Sequence, residues 1–224
     1  MCRIHHMELE GSATRVGNTS LSERGLLGIL NGLDGVKFMN DDYVLSVLNH
    51  VNYSKQEEID EAVDILSGVA NDLIPNLIVI KSEIAAKAIL RIGYPRVKSV
   101  MAELLVWLQD MNWPGSYQIA ELFVSIGKPA IPYVKEVLTS NDNVWKYWVM
   151  EYVISRWTKD LVDELKEELI SLMRQSDIYE FTDIIAMRIL GQNGFNIRHA
   201  FNSKKYGSEE YIERLNEIEE IIKD

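Results

Sequence analysis

Ile92-Gly93-Tyr94-Pro95 and Ile126-Gly127-Lys128-Pro129 are two similar stretches of this chain, and each ends one apolar run and begins another. Aligning the two glycines gives a period of about 34 residues, which lies in the range of helical repeats. The same offset pairs further apolar or small residues on both sides of the glycines: Ala86 with Ala120, Val97 with Ile131, Val100 with Val134 and Leu104 with Leu138. The spacing predicts an all-α fold, a HEAT-like α-solenoid of stacked antiparallel helical hairpins.

The residues around the first glycine support helices on both sides of it. Ser82 can cap a helix that Gly93 ends, because a left-handed residue after a helix is least strained as glycine. Asn40 and Asp41 can begin an earlier helix in the same way. The best candidate for a strand, residues 77–80, is too isolated to build a sheet.

Composition indicates a folded, acidic protein. The chain has 224 residues, 47% of them hydrophobic, and a formal charge of -11, with 34 acidic and 23 basic residues. An acidic chain is repelled by nucleic acid and by anionic membranes, so we expect neither as a partner; a basic protein partner fits better. Acidity for solubility alone is the simpler alternative. Cys2 is the single cysteine, and the first residues have no apolar signal segment, so we expect a cytoplasmic protein.

Four segments follow from the pattern of apolar residues. Residues 1–19 lack periodicity and are expected to form a flexible N-terminal arm. Residues 20–71 are predicted to form an N-terminal helical extension, in which several glycines weaken the first helix. Residues 72–176 hold the repeats, and residues 177–224 continue the stack as a C-terminal helical extension.

Two helices of the repeat region carry most of the tryptophans. In one helix predicted over residues 96–111, Glu103, Trp107 and Asp110 lie together on the flank of the apolar stripe. In the other, predicted over residues 144–157, apolar residues surround nearly the whole circumference, which indicates burial on two sides.

Several motifs resemble a bacterial family of uncharacterised domains with a HEAT-like helical fold, over roughly residues 72–176. The most specific are Leu108-Gln109-Asp110-Met111-Asn112-Trp113-Pro114 and Trp145-Lys146-Tyr147-Trp148. The resemblance implies an architecture and a bacterial source, and no activity. Small acidic helical proteins are also similar to immunity proteins that neutralise toxins, although no residue of this chain matches an immunity motif.

The aromatic and polar residues of these motifs are the first candidates for a partner-binding surface, because tryptophan and tyrosine dominate interface hot spots. The alternative is packing between repeats, with Asn112 ending one helix and Pro114 beginning the next. Lys146 could make a cation–π contact with the neighbouring rings or extend to solvent. The candidates from the motifs are Trp107, Asp110, Asn112, Trp113 and Lys146.

The C-terminal residues form an acidic helix whose Glu217 and Glu220 could meet a cationic partner, although a solvated end cap is the simpler interpretation. Basic residues concentrate just before it, at Arg188, Arg198, His199, Lys204 and Lys205, but a nucleic-acid surface would need a continuous basic face.

The sequence holds no recognisable catalytic, metal or cofactor motif. His50 and His199 have no ligand-spaced partners, so we expect no metal site and no cofactor. We therefore expect a noncatalytic protein-binding module, in its most specific form an immunity-type inhibitor of a basic toxin. A structural adaptor in a larger assembly is the alternative, and a noncanonical enzyme using carboxylates such as Asp110 and Glu103 is the third.

Overall fold

A computed structural model describes residues 40–175, 177–204 and 209–222, and within them every element is helical. The predicted arm 1–19 and the beginning of the predicted extension 20–71 lie outside the described residues. No helix in the described part of the chain is long and apolar enough to cross a membrane. The prediction of an all-α fold is confirmed over these residues.

Twelve α-helices are described, and short 3₁₀ helices connect several of them. The α-helices are α1 (Asp41–His50), α2 (Gln56–Ser67), α3 (Glu83–Ile92), α4 (Met101–Leu105), α5 (Ser116–Ile126), α6 (Ile131–Thr139), α7 (Asn143–Tyr152), α8 (Lys159–Asp163), α9 (Lys166–Arg174), α10 (Thr182–Gln192), α11 (Arg198–Ser203) and α12 (Glu209–Asn216). The 3₁₀ helices are Asn71–Leu77, Arg96–Val100, Val106–Gln109, Lys128–Ala130, Ile154–Arg156 and Glu219–Ile222.

The central helices form two layers. In one layer α3, α5, α7 and α10 pack on one another in chain order. In the other layer α4 packs on α6, and α6 packs on α9. Contacts between the layers join the 3₁₀ helix Val106–Gln109 to α5, α6 to α7, and α9 to α10. The core between the layers is apolar and continuous, and it includes Ile89, Leu104, Phe123, Val134 and Leu169. The burial of these side chains is the main term that holds the layers together.

Two of the predicted N-caps are confirmed, whereas Ser54, which the sequence Ser54-Lys55-Gln56-Glu57 suggests as the cap of α2, is not one: Lys55 takes that position without a side-chain bond. The side chains of Asn40 and Ser82 accept hydrogen bonds from Tyr43 N at 2.9 Å and Ala85 N at 3.2 Å, so both residues are N-caps. Gly93 and Gly127 end α3 and α5 with φ of 66° and 64°. An L-residue is strained in this left-handed region, which explains the glycine at both positions.

Two predicted helices differ from expectation. The segment 96–111 is not one α-helix: a 3₁₀ helix precedes α4 and another follows it. The segment 144–157 is also shorter than predicted, since α7 ends at Tyr152 and a 3₁₀ turn follows. Moreover, α7 is buried on one side only, because Val144 is exposed and Tyr147, Trp148 and Tyr152 are half-buried.

Several hydrogen bonds made by side chains join residues that are 34 to 37 positions apart. These pairs are Asn76 with Asp41, Lys128 with Glu164, Asn143 with Asp177, Arg156 with Glu121, Lys159 with the Asn193 carbonyl, and Arg188 with Glu151. Other long-range bonds, such as Arg91 with Asp64 and Arg96 with Asn71, span 27 and 25 positions. The separation of 34 to 37 positions agrees with the period of about 34 residues read from the two glycines.

A buried polar cluster joins α10 to the C-terminal helices. Asp183 is fully buried, and its Oδ2 accepts hydrogen bonds from Lys204 Nζ at 2.6 Å and Tyr211 Oη at 2.8 Å. Burial, and then the bond to Asp183, raise the pKa of Tyr211. The pairing satisfies a charge that would otherwise be costly to bury, and it fixes where α12 lies.

Candidate functional site

Trp107 does not lie on a surface, which corrects the prediction that it contacts a partner. It has no exposed area, and its Nε1 donates a hydrogen bond to the Pro114 carbonyl at 3.1 Å. The physical reason is that the turn into α5 packs against the ring. The Pro114 carbonyl accepts from the indole N–H, and a Cβ on Gly115 would lie 3.2 Å from Nε1, so the chain after the helix covers the side that was predicted to be an open flank.

Asp110 and Asn112 form the turn between α4 and α5. Asp110 Oδ1 accepts hydrogen bonds from the backbone N of Asn112 at 2.9 Å and from its Nδ2 at 3.0 Å. Buried Ser116 then donates from Oγ to the carbonyls of Trp107 and Asp110 at 2.9 and 3.0 Å. Most polar atoms of this motif are therefore engaged in shaping the hairpin.

Trp113 is half-buried, and Lys81 Nζ lies 4.4 Å from the centroid of its ring. The cation comes from the turn before α3, so it links neighbouring hairpins. This tryptophan is partly accessible, but one cation already occupies a face of its ring.

Lys146 is also buried, with 6% of its area exposed. Its Nζ donates a hydrogen bond to Asn143 Oδ1 at 3.0 Å. Among the described residues neither alternative suggested by the sequence is seen, since no ring lies beneath the ammonium and the side chain does not extend to solvent. Lys146 instead lines a cleft of about 490 Å³ between the end of α6, the start of α7 and α9, with Glu167, Glu168 and Ser171 on its wall.

The structure gives different results for the acidic C-terminal surface and for the basic concentration before it. Glu217 is exposed, between α12 and a 3₁₀ helix that packs on α10, whereas the side chain of Glu220 and all of Lys205 lie outside what the structure describes. The basic concentration is not a single surface. Arg188 is paired with Glu151, and Lys204 is buried against Asp183.

The most prominent aromatic surface lies elsewhere, on the exposed sides of α5 and α7. We call the four residues Tyr117, Tyr147, Trp148 and Tyr152 the aromatic ladder. The centroids of Tyr117 and Tyr152 are 5.4 Å apart, those of Tyr152 and Trp148 are 5.7 Å apart, and those of Trp148 and Tyr147 are 4.8 Å apart. The first and last pairs meet edge to face, the arrangement that aromatic quadrupoles favour.

The ladder is partly open to solvent. Tyr117 is 56% exposed, and the other three residues are half-buried. Two ion pairs border it: Arg156 with Glu121 connects α7's end to α5, and Arg188 with Glu151 connects α10 to α7. Of these two pairs, Arg156 with Glu121 bridges the α5 side and the α7 side, and because both side chains are largely exposed it contributes little. The packing of α5 on α7 holds the four rings together on one surface.

The surroundings of Tyr152 favour its neutral phenol. A hydrogen bond with the Tyr117 hydroxyl raises the pKa of Tyr152 most, and burial and the Glu151 carboxylate raise it further. The hydroxyls of Tyr117 and Tyr152 are therefore already engaged with each other, and it is the rings of the ladder that remain for a partner.

The sequence left Trp148 open between a partner-binding surface and packing between repeats, placed Tyr152 on a buried stripe and gave Tyr117 no role. The residues of α7 are apolar around nearly the whole circumference of the helix, so the sequence does not show which side is covered and which is open. The clue available in the sequence was chemical. Tyr117, Tyr147 and Tyr152 each carry a hydroxyl, which is more costly to bury than the aliphatic side chains of the true core.

The described residues hold no group of three or more His, Cys, Asp or Glu side chains placed to bind a metal ion. A comparison with curated proteins gives no match. A comparison with protein families gives one match, over residues 81–188, which contain α3 to α9, the ladder and both of the quoted motifs. The family is described as a domain of unknown function, DUF5071, and its match begins and ends somewhat later than the predicted 72–176. Residues 81–188 of this chain are therefore similar to the DUF5071 family of domains of unknown function.

Proposed function

We propose that this protein is a noncatalytic binding module that holds a basic protein partner on the aromatic ladder. The observation that carries the proposal is a set of four connected aromatic rings on two packed helices, of which Tyr117 is exposed and the other three are half-buried. Tyrosine and tryptophan are the residues most enriched at the centres of protein interfaces. Proteins without a partner rarely expose a contiguous apolar patch, so solvent-accessible rings of this kind indicate an interaction surface.

The architecture that presents the ladder is, in this proposal, a HEAT-like α-solenoid. Hydrogen bonds at separations of 34 to 37 residues support it, as does the packing of helices in chain order within each layer. In such a stack each hairpin contacts only its neighbours, and the accumulated helices offer an extended surface to a partner. The ladder spans two adjacent hairpins of this stack.

The charge of the chain supports a basic partner. The net charge is -11, and exposed carboxylates such as Asp142, Glu164 and Glu167 lie on the same two hairpins and the following one. Complementary charge speeds the encounter of two proteins, while the buried aromatic residues of the interface slow their separation. The most specific form of the proposal is an immunity-type inhibitor that neutralises a basic toxin.

Purification of the tagged full-length chain from its native host, followed by mass spectrometry, tests the proposal. The wild type is compared with a triple variant of the ladder, Tyr117→Ser, Trp148→Ser and Tyr152→Ser, and with Tyr53→Ser as a matched control. Tyr53 is 56% exposed, like Tyr117, but lies before α2. Circular dichroism establishes that both variants remain folded.

We expect a basic protein to be recovered with the wild type and with the control, and to be lost with the triple variant. If this partner is a toxin, its production without the chain should stop growth. A partner of an ordinary multiprotein assembly would instead favour the adaptor alternative. Equal recovery with all three proteins would contradict the ladder as the binding surface.

A further inference from the structure

Cations of the chain itself already lie over several aromatic rings outside the ladder. Three rings of the described fold have a lysine or arginine within 5.3 Å of the centroid. They are Trp113 with Lys81, Phe195 with Lys159 and Lys166, and Phe181 with Arg214. Stacking of a cation on an aromatic face thus recurs in this protein, because the ring quadrupole attracts positive charge.

The ladder is different, since within the described residues no lysine or arginine lies over any of its four rings. The guanidinium groups of Arg156 and Arg188, whose ion pairs border the ladder, are held instead by Glu121 and Glu151. One exposed and three half-buried rings without a cation of the chain over them, on a protein with a net charge of -11, leave room for a cation from a partner.

We propose that the ladder recognises arginine side chains of the partner, which stack on the rings of Tyr117, Trp148 and Tyr152. This inference rests on the proposed function and names the chemistry by which the same surface selects its partner. Arginine fits better than lysine because its guanidinium is planar and weakly hydrated, and stacks on an aromatic face.

A partner segment with more than one arginine suits the ladder. Successive centroids are 4.8 to 5.7 Å apart, and two of the three pairs meet edge to face, so one ring of each such pair has a face covered by its neighbour. In an extended segment, side chains two residues apart point the same way and lie about 6.6 Å apart. Several arginines at alternate positions therefore give one segment more than one way to place a guanidinium on an accessible face.

Calorimetric titration at low salt with three defined peptides tests the inference. The peptides contain four Arg-Gly, Lys-Gly or citrulline-Gly repeats; citrulline has nearly the shape of arginine without its charge. We expect the arginine peptide to bind more tightly than the lysine peptide and at least tenfold more tightly than the citrulline peptide. Replacement of one ring, Trp148→Leu or Tyr152→Leu, should weaken arginine binding by about fivefold, and Tyr53→Leu should leave it unchanged.

The indole N–H resonance of Trp148, assigned by its loss in Trp148→Leu, reports binding at the ladder directly. We expect the arginine peptide to shift it in the wild type, so the inference does not depend on the stability of a variant. Arginine and citrulline peptides of equal affinity, or arginine binding that persists unchanged in both leucine variants, would overturn it. In that case a basic partner recovered from the native host through the ladder would still uphold the proposed function.

Discussion

Asn143 Nδ2 donates a hydrogen bond to Asp177 Oδ2 at 3.0 Å, and the two residues are 34 positions apart in the chain. Asn143 begins α7, and Asp177 lies in the turn before α10, so the bond connects equivalent ends of two neighbouring hairpins. The same Asp177 also accepts from Glu180 N at 3.0 Å and Thr182 Oγ1 at 2.7 Å. One carboxylate therefore both shapes its own turn and joins it to the preceding repeat.

Acid should weaken this connection. Burial alone raises the pKa of Asp177, but the hydrogen bonds from Glu180, Thr182 and Tyr179 outweigh it, so the pKa of this carboxyl is lowered in the folded protein. A lowered pKa contributes stability that is present above the ordinary value of about 3.9 and is lost as the pH falls through the folded value. Urea unfolding at pH 7 should show Asp177→Asn less stable by about 1.5–3 kcal/mol.

The difference between Asp177→Asn and the wild type should then shrink as the pH falls through the lowered pKa of Asp177, because the carboxyl becomes neutral like the amide. Asp72→Asn, at an exposed position, is the control and should change stability little at either pH. A difference that stays constant down to pH 2 would show that the charge of Asp177 does not contribute.

Alanine substitutions at Gly115 and Gly194 distinguish the cost of backbone strain from the cost of a steric clash. Both glycines have positive φ, of 92° and 79°. A Cβ on Gly115 would lie 2.5 Å from Ala86 Cβ, whereas a Cβ on Gly194 would have open space. Gly194→Ala should therefore cost about 1 kcal/mol for strain alone, and Gly115→Ala should cost at least about 2 kcal/mol because overpacking adds to the strain. Chemical denaturation measures both; equal costs would mean that α3 and α5 can move apart freely.

Truncation of Trp107 should mainly reduce stability, whereas truncation of Trp148 should mainly reduce partner binding. Trp107→Ala removes a fully buried ring and should reduce the free energy of unfolding by about 3–5 kcal/mol. Trp148→Ala removes a half-buried ring, so its cost should be less than half as large, while partner binding should suffer. Thermal unfolding and a binding assay on the same two variants check this. A Trp107→Ala protein of wild-type stability would refute the assignment of this residue to the core.

Tyr211→Phe tests the buried cluster around Asp183. The change removes one hydrogen bond to a buried carboxylate and should cost about 1.5–3 kcal/mol. Tyr133→Phe is the matched control, because the hydroxyl of this half-buried tyrosine has no hydrogen-bond partner among the described residues. Its removal should change the free energy of unfolding by less than about 0.5 kcal/mol. Similar values for the two variants would show that α12 is held by apolar packing alone.

Local chemistry made much of the fold predictable from the sequence. The caps at Asn40 and Ser82 and the positive φ of Gly93 and Gly127 each follow from a few neighbouring residues, and all four are confirmed. The all-helical class follows from apolar residues at helical spacing. The 3₁₀ helix at Val106–Gln109 was not predictable, since helical periodicity alone does not distinguish 3.0 from 3.6 residues per turn in so short a segment.

The candidate site was less predictable because it depends on contacts distant in the chain. Tyr117 and Tyr152 belong to different helices, and they meet only after α5 packs against α7. Lys204 looked like a surface cation because its acceptor Asp183 lies in another element. The packing of whole helices likewise decides which side of α7 remains open, and the sequence of α7 alone does not predict it.

Site-specific photocrosslinking in the native host tests the central claim most directly. A benzophenone amino acid replaces Trp148 in one protein and Tyr53 in a control, and the crosslinked products are identified by mass spectrometry. The account predicts a covalent product between position 148 and a basic protein, with the attachment in an arginine-containing segment, and no such product from position 53. An acidic protein attached at position 148, or the same product from both positions, would contradict the claim that the aromatic ladder holds a basic partner.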